Sequence, residues 1–186
     1  MLEFQVSNVS GIIDQEGRDA IAALILAWAR FDSLVTQWTF RSFGMGPDEG
    51  SIFIGNMDTK SKLDKIKALQ KHFGHTDAAK QVHDLALAAK GHADIRNSIC
   101  HKTCGGYSKA HPNMLVFSNG KIYPNMPGRM LVELIHLDAI RTATKFAADS
   151  ADQISPVIDA LAARQEGTGE QPPGNPPESQ SPGQHD

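Results

Sequence analysis

Six consecutive residues, Arg96-Asn97-Ser98-Ile99-Cys100-His101, place a guanidinium, a carboxamide and an imidazole close together. Arginine's planar fork clamps phosphate oxygens, and histidine is the side chain that exchanges protons near neutral pH. Phosphodiester chemistry is what such a set can do. Lys102 and Lys109 follow closely enough to track an RNA backbone, and Tyr107 to stack a base.

Each residue also has a plainer role open to it. Arg96 can satisfy the last carbonyls of a helix, and Asn97 can cap a helix end. His101 can be a hydrogen-bonded surface histidine, the two lysines solvated cations, and Tyr107 a packed loop residue. Asp94 either orients His101 or Arg96 or is an exposed helix-end acid. Cys100, His101 and Cys104, with His111 or His92, invite a zinc reading, but the spacing fits no two-knuckle pattern. No metal and no cofactor are assigned. His72, His75, His83 and His92 share no ligand register, and Trp28 and Trp38 sit on an apolar stripe that reads as core.

The elements that must position the motif read as helices. Ile21, Leu24, Ile25, Trp28, Phe31, Val35 and Trp38 recur at three- and four-residue steps, predicting a long helix from about Ile12 to Phe43. Glycines and Pro47 then interrupt, with Ser51 to Ile54 as a short buried or extended piece. A second helix is expected from Thr59 to Phe73, with Ser61 and Asp64 as its capping pair, and a third from a Thr76 cap into the motif. Asn119-Gly120 between Met114-Leu-Val-Phe-Ser118 and Lys121-Ile-Tyr123 predicts a hairpin. A last helix is expected from near Gly128, carrying Leu131, Leu134, Ile135, Leu137, Ile140 and Phe146, with Pro156 kinking it or starting a separate piece. Residues 1 to 11 read as extended or irregular.

Composition bounds the partners. The chain has 18 basic and 21 acidic residues among 186, and residues 165–186 hold four of the acids and no lysine or arginine. The remaining body is nearly neutral, which excludes a broad nonspecific nucleic-acid coat and allows only a local basic site. The expectation is one domain over residues 1–164 and a disordered Pro/Gly/Gln-rich acidic tail over 165–186. Met1 to Ser10 lack the basic start of a secretory leader, so a reducing, cytoplasmic setting is expected. The longest apolar run, Ala20 to Ala29, is ten residues, too short to span a bilayer, so no membrane partner is expected.

The R-N-x-x-x-H pattern at the end of a third helix resembles the signature of the HEPN family, an all-helical group that includes many metal-independent ribonucleases of toxin and phage-defence systems. The likeness covers about residues 12 to 164. It implies an all-α fold, an up-and-down bundle of four to five helices, into which the small β-hairpin read near 114–123 is inserted. It further implies an endoribonuclease with Arg96, Asn97 and His101 as catalytic residues, RNA as substrate, and 2',3'-cyclic phosphate products. A homodimer is implied, with the first, third and last helices at its interface, together with an antitoxin partner protein where the member is a toxin. The other function open to such a fold is a non-catalytic module binding RNA, nucleotide or a protein partner.

In a straight helix Arg96 and His101 point about 140° apart, whereas Asn97 and His101 share a face. Either the helix unwinds after Asn97, or two copies of the motif assemble one site.

Overall fold

A computed structural model describes residues 2–5, 8–122 and 129–167. The chain is mainly helical. Strand β1 (Leu2–Gln5) precedes α1 (Gln15–Ser42), α2 (Pro47–Ile54), α3 (Thr59–His72) and α4 (Thr76–His101). Three strands follow, β2 (Thr103–Tyr107), β3 (Met114–Ile122) and β4 (Arg129–His136), and α5 (Leu137–Gly167) closes the described chain.

The long first helix forms where its periodicity places it. Asp14 caps α1 by accepting from the Gly17 amide at 2.8 Å, and Leu24, Trp28, Phe31 and Val35 are buried along one stripe. That stripe lies against α5, where Ile140, Ala143, Ala147 and Ala151 are completely buried. Small alanines let the two long helices approach closely, and Phe31 fills the space edge-on between Trp28 and Phe146. Helix α3 is fastened to α1 by a buried cation: Lys62 Nζ donates to Asp32 Oδ2 at 2.8 Å, while Thr59 Oγ1 donates to Asp32 Oδ1 at 2.6 Å.

Several expectations need correction. Residues 51–54 belong to α2, begun by Pro47 at the first helical position. Asp58 caps α3 in place of the Ser61 and Asp64 pair, and Asp64 instead receives Lys60 and Lys67. Thr76 is not a cap: His75 is the N-cap of α4 and makes no side-chain capping bond. Pro156 lies inside α5, which neither ends nor restarts there.

The larger correction is the sheet. Asn119-Gly120 is not the hairpin turn: β3 runs on to Ile122, with a register shift between Ser118 and Ile122 and Gly120 at φ +73°. The connection to β4 lies outside the described residues. Leu131, Leu134 and Ile135, expected in the last helix, are on β4, and helix begins only at Leu137. The three inserted strands gain a fourth from the N-terminus, giving antiparallel order β1-β4-β3-β2. One face, with Leu115, Phe117 and Ile135, joins the helical core. Residues 165–167 of the expected tail continue α5, and the rest of it lies outside the described residues. Among the described residues no helix is long and apolar enough to cross a membrane.

Candidate functional site

The motif occupies the last two turns of α4. The helix does not unwind after Asn97; it continues through His101, and Lys102 is already extended (φ −119°, ψ 155°), one residue before β2 begins. Ser98 and Ile99 are buried and fix the register of this end against the core. Asn97, Cys100 and His101 are exposed, and Arg96 is half-buried.

With helical geometry retained, Arg96 leaves α4 about 140° from His101 and on its opposite flank. His92, one turn earlier on the Arg96 side, stacks on Phe146 of α5 at 4.6 Å between ring centroids, so this flank faces α5. The Arg96 guanidinium donates to Asn97 Oδ1 at 3.1 Å. Asn97 and His101 share the solvent face. One chain therefore brings Arg96 to Asn97 and Asn97 beside His101, without bringing Arg96 to His101.

The residues expected to bind substrate are placed differently. Lys102 is half-buried and tied down: its Nζ donates to Ser98 Oγ at 3.0 Å and pairs closely with Glu133 Oε2 of β4. Ser98 Oγ donates to the same Glu133 oxygen at 2.6 Å. Burial pushes the Glu133 carboxyl up, but the hydrogen bonds from Lys102 and Ser98 and the lysine's charge outweigh it, leaving the group below its ordinary value. Lys102 is thus a clamp between helix and sheet.

Tyr107 is half-buried and also tied down. Its ring packs against the core, and its hydroxyl donates to Asp14 Oδ1 at 2.7 Å, joining β2 to the start of α1. Burial, reinforced by the Asp14 carboxylate, pushes its pKa to about 12. The same contacts hold the Asp14 carboxyl below the usual carboxylate range, chiefly through the Gly17 amide and then Tyr107. Lys109 is exposed beyond β2, its amide bonded to the Asn8 carbonyl at 2.9 Å. Asp94 is exposed on α4.

Cys104 is half-buried against the core and its thiol is pushed up by burial, while Cys100 is exposed. Among the described residues no three His, Cys, Asp or Glu side chains gather into a metal-holding group.

Sequence reading missed Ser98, Glu133 and Asp14. Glu133 had no local signal: Leu131, Val132, Leu134 and Ile135 are apolar on both sets of alternate positions, so no strand periodicity marks it. No known family model, curated protein or solved structure matches this chain.

Proposed function

We propose that this chain is a metal-independent endoribonuclease of the HEPN type, acting as a homodimer in a toxin or phage-defence setting with an antitoxin protein as partner. The observation that carries this reading is the unbroken helix through the motif. It presents Asn97 and His101 to solvent and separates Arg96 from His101 by about 140°, so a second copy related by a two-fold axis is needed to bring His101 of the partner subunit to Arg96.

In that arrangement His101 accepts the proton of a ribose 2'-hydroxyl, and the freed oxygen attacks phosphorus. Arg96 holds the phosphate and stabilises its added negative charge, with Asn97 positioning the guanidinium through the bond it already accepts. The bond from phosphorus to the 5'-oxygen breaks, and the leaving oxygen takes a proton from His101 of the partner subunit. The products are a 2',3'-cyclic phosphate and a 5'-hydroxyl. DNA lacks the attacking hydroxyl and is not cut by this route.

A second reading, a non-catalytic module binding RNA, nucleotide or protein through the same surface, is favoured by one observation: Lys102, next to His101, is committed to Glu133. The test is incubation with mixed cellular RNA and with single-stranded DNA in chelator, beside Arg96→Ala and His101→Ala. Cyclic-phosphate fragments from RNA with wild type alone support the nuclease. Equal inertness of all three on a broad RNA panel removes it in favour of the binding module.

A further inference from the structure

At the far end of α4 from the motif, a cavity of about 290 Å³ opens between the last turns of α3 and the first turns of α4, lined by Lys67, Lys71, Thr76, Ala79, Lys80 and His83. Four of these six side chains are cationic or can become so. Lys67 also reaches Asp64 at 2.7 Å and Lys80 reaches Asp84 at 3.2 Å, while Lys71 and His83 have no carboxylate partner among the described residues.

The surrounding segment concentrates charge that the body otherwise lacks. Lys60 to Asp84 contains six lysines against three aspartates, in a body of 18 basic and 17 acidic residues; Lys67, Lys71 and Lys80 line the cavity, whereas Lys62 is buried on Asp32, Lys60 pairs with Asp64 and Lys65 lies over the Phe53 ring. Outside this segment the body is slightly acidic. Here is a local basic site of the kind a near-neutral chain needs to hold a polyanion.

A second observation narrows the ligand. Phe73, between α3 and α4, is 61% exposed although it is a large apolar ring. It is flanked by two imidazoles, His72 at 5.2 Å and His75 at 6.3 Å between ring centroids. His75 provides no side-chain cap to α4, whose first amide, Thr76 N, donates to the Gly74 carbonyl at 3.0 Å. Phosphate-binding cations beside an exposed aromatic face are the two components of a single-strand nucleic-acid platform: cations follow the backbone and the ring stacks a base.

We propose that the α3–α4 corner binds single-stranded RNA, its phosphates on Lys67, Lys71, Lys80 and His83 and an unpaired base on Phe73. Lys80 and His101 are about 30 Å apart along α4, so this corner anchors a strand remote from the motif. The proposal takes RNA from the nuclease reading, but binding here does not require cleavage.

The experiment uses the His101→Ala protein, so that binding is read without cutting. Fluorescence anisotropy with a labelled single-stranded RNA is measured across a salt series for His101→Ala alone and with Lys71→Glu, Phe73→Leu or Arg30→Glu added. Arg30 is exposed on α1, outside the corner, and controls for charge reversal. Lys71→Glu should weaken binding roughly tenfold at low salt and lower the salt slope by about one, and Arg30→Glu should do neither. Phe73→Leu should weaken binding about tenfold with the slope unchanged, because a stacked base releases no counterion. Single-stranded DNA of equal length should bind with the same dependence on Lys71, although the nuclease does not cut it.

Circular dichroism and thermal melts verify that each variant is folded, and Lys71→Gln serves if Lys71→Glu fails to fold. Equal losses for Lys71→Glu and Arg30→Glu overturn the proposal. So does binding confined to inorganic pyrophosphate or to anionic lipid vesicles, which makes the corner a small-anion or membrane-surface site. Loss of cleavage in wild type with Lys71-dependent binding intact removes the nuclease reading and leaves this one standing.

Discussion

Lys102 and Ser98 donate to one and the same oxygen of Glu133, Oε2, where α4 passes into the sheet. This three-residue clamp sits one position beyond His101 and sets where the motif ends. Its carboxyl is held below its ordinary value of 4.5, so the folded state favours the ionised form. Stability from the clamp is therefore present above the unfolded value and lost as pH falls below about 4.5 toward the lower folded value. Glu133 is partly exposed, so Glu133→Gln should cost only about 1 kcal/mol at neutral pH. Urea titrations at pH 7 and pH 3 should show that difference shrinking in acid; an undiminished gap would remove ionisation as its cause.

Mixing two inactive variants tests whether the site is shared. If Arg96 of one copy works with His101 of the partner subunit, an Arg96→Ala and His101→Ala mixture contains heterodimers in which one Arg96 meets one His101 while the second imidazole is missing. Random reassociation should restore measurable cleavage, below about a quarter of wild type. A site made within one chain gives no recovery.

Tyr107 should report on the joint between β2 and α1. Its pKa of about 12 lies above the ordinary value of 10.0, so the folded state holds the phenolic proton more tightly. The associated stability is complete below pH 10 and is lost as pH rises toward 12. Tyrosinate absorbance should show a late titration that Tyr107→Phe abolishes, and alkaline melts of that variant should lose the corresponding fall in Tm.

Gly17→Ala tests the same joint by volume. A Cβ there would stand 2.5 Å from the Tyr107 hydroxyl and 2.9 Å from Ile13 Cγ2. Alanine gains about 1 kcal/mol over glycine in an open helix, but overpacking costs about 1–3 kcal/mol, so the contact wins. Denaturant melts should show net destabilisation, and pairing with Tyr107→Phe should relieve much of it.

Gly120 stands at φ +73° in the irregular stretch of β3, with open space where a Cβ would go. Gly120→Ala should cost about 1–2 kcal/mol through backbone strain alone. Equilibrium unfolding measures it, and a neutral result would mean that the strand relaxes to another conformation.

These residues also show what a sequence can and cannot disclose. Trp28, Phe31 and Val35 announce α1 because their stripe is long and its period unambiguous. Leu131, Leu134 and Ile135 mislead because three- and four-residue steps over only five positions fit a helix as readily as a strand, and only pairing with β3 decides. Asn119-Gly120 matches a turn signal, yet Gly120's positive φ serves a strand irregularity instead. At the motif, the divergence of Arg96 and His101 follows from helix geometry once the helix is known to continue. The commitment of Lys102 to Glu133, 31 positions away, has no local trace.

The direct passage from α4 to β2 through Lys102 leaves no slack beside His101. A histidine on a loop can be swung into place, but this one moves only with its helix and sheet. If, as proposed, a second copy completes the site, regulation would act on encounter between whole subunits and cleavage would fall faster than linearly on dilution, so that abundance itself would set the threshold.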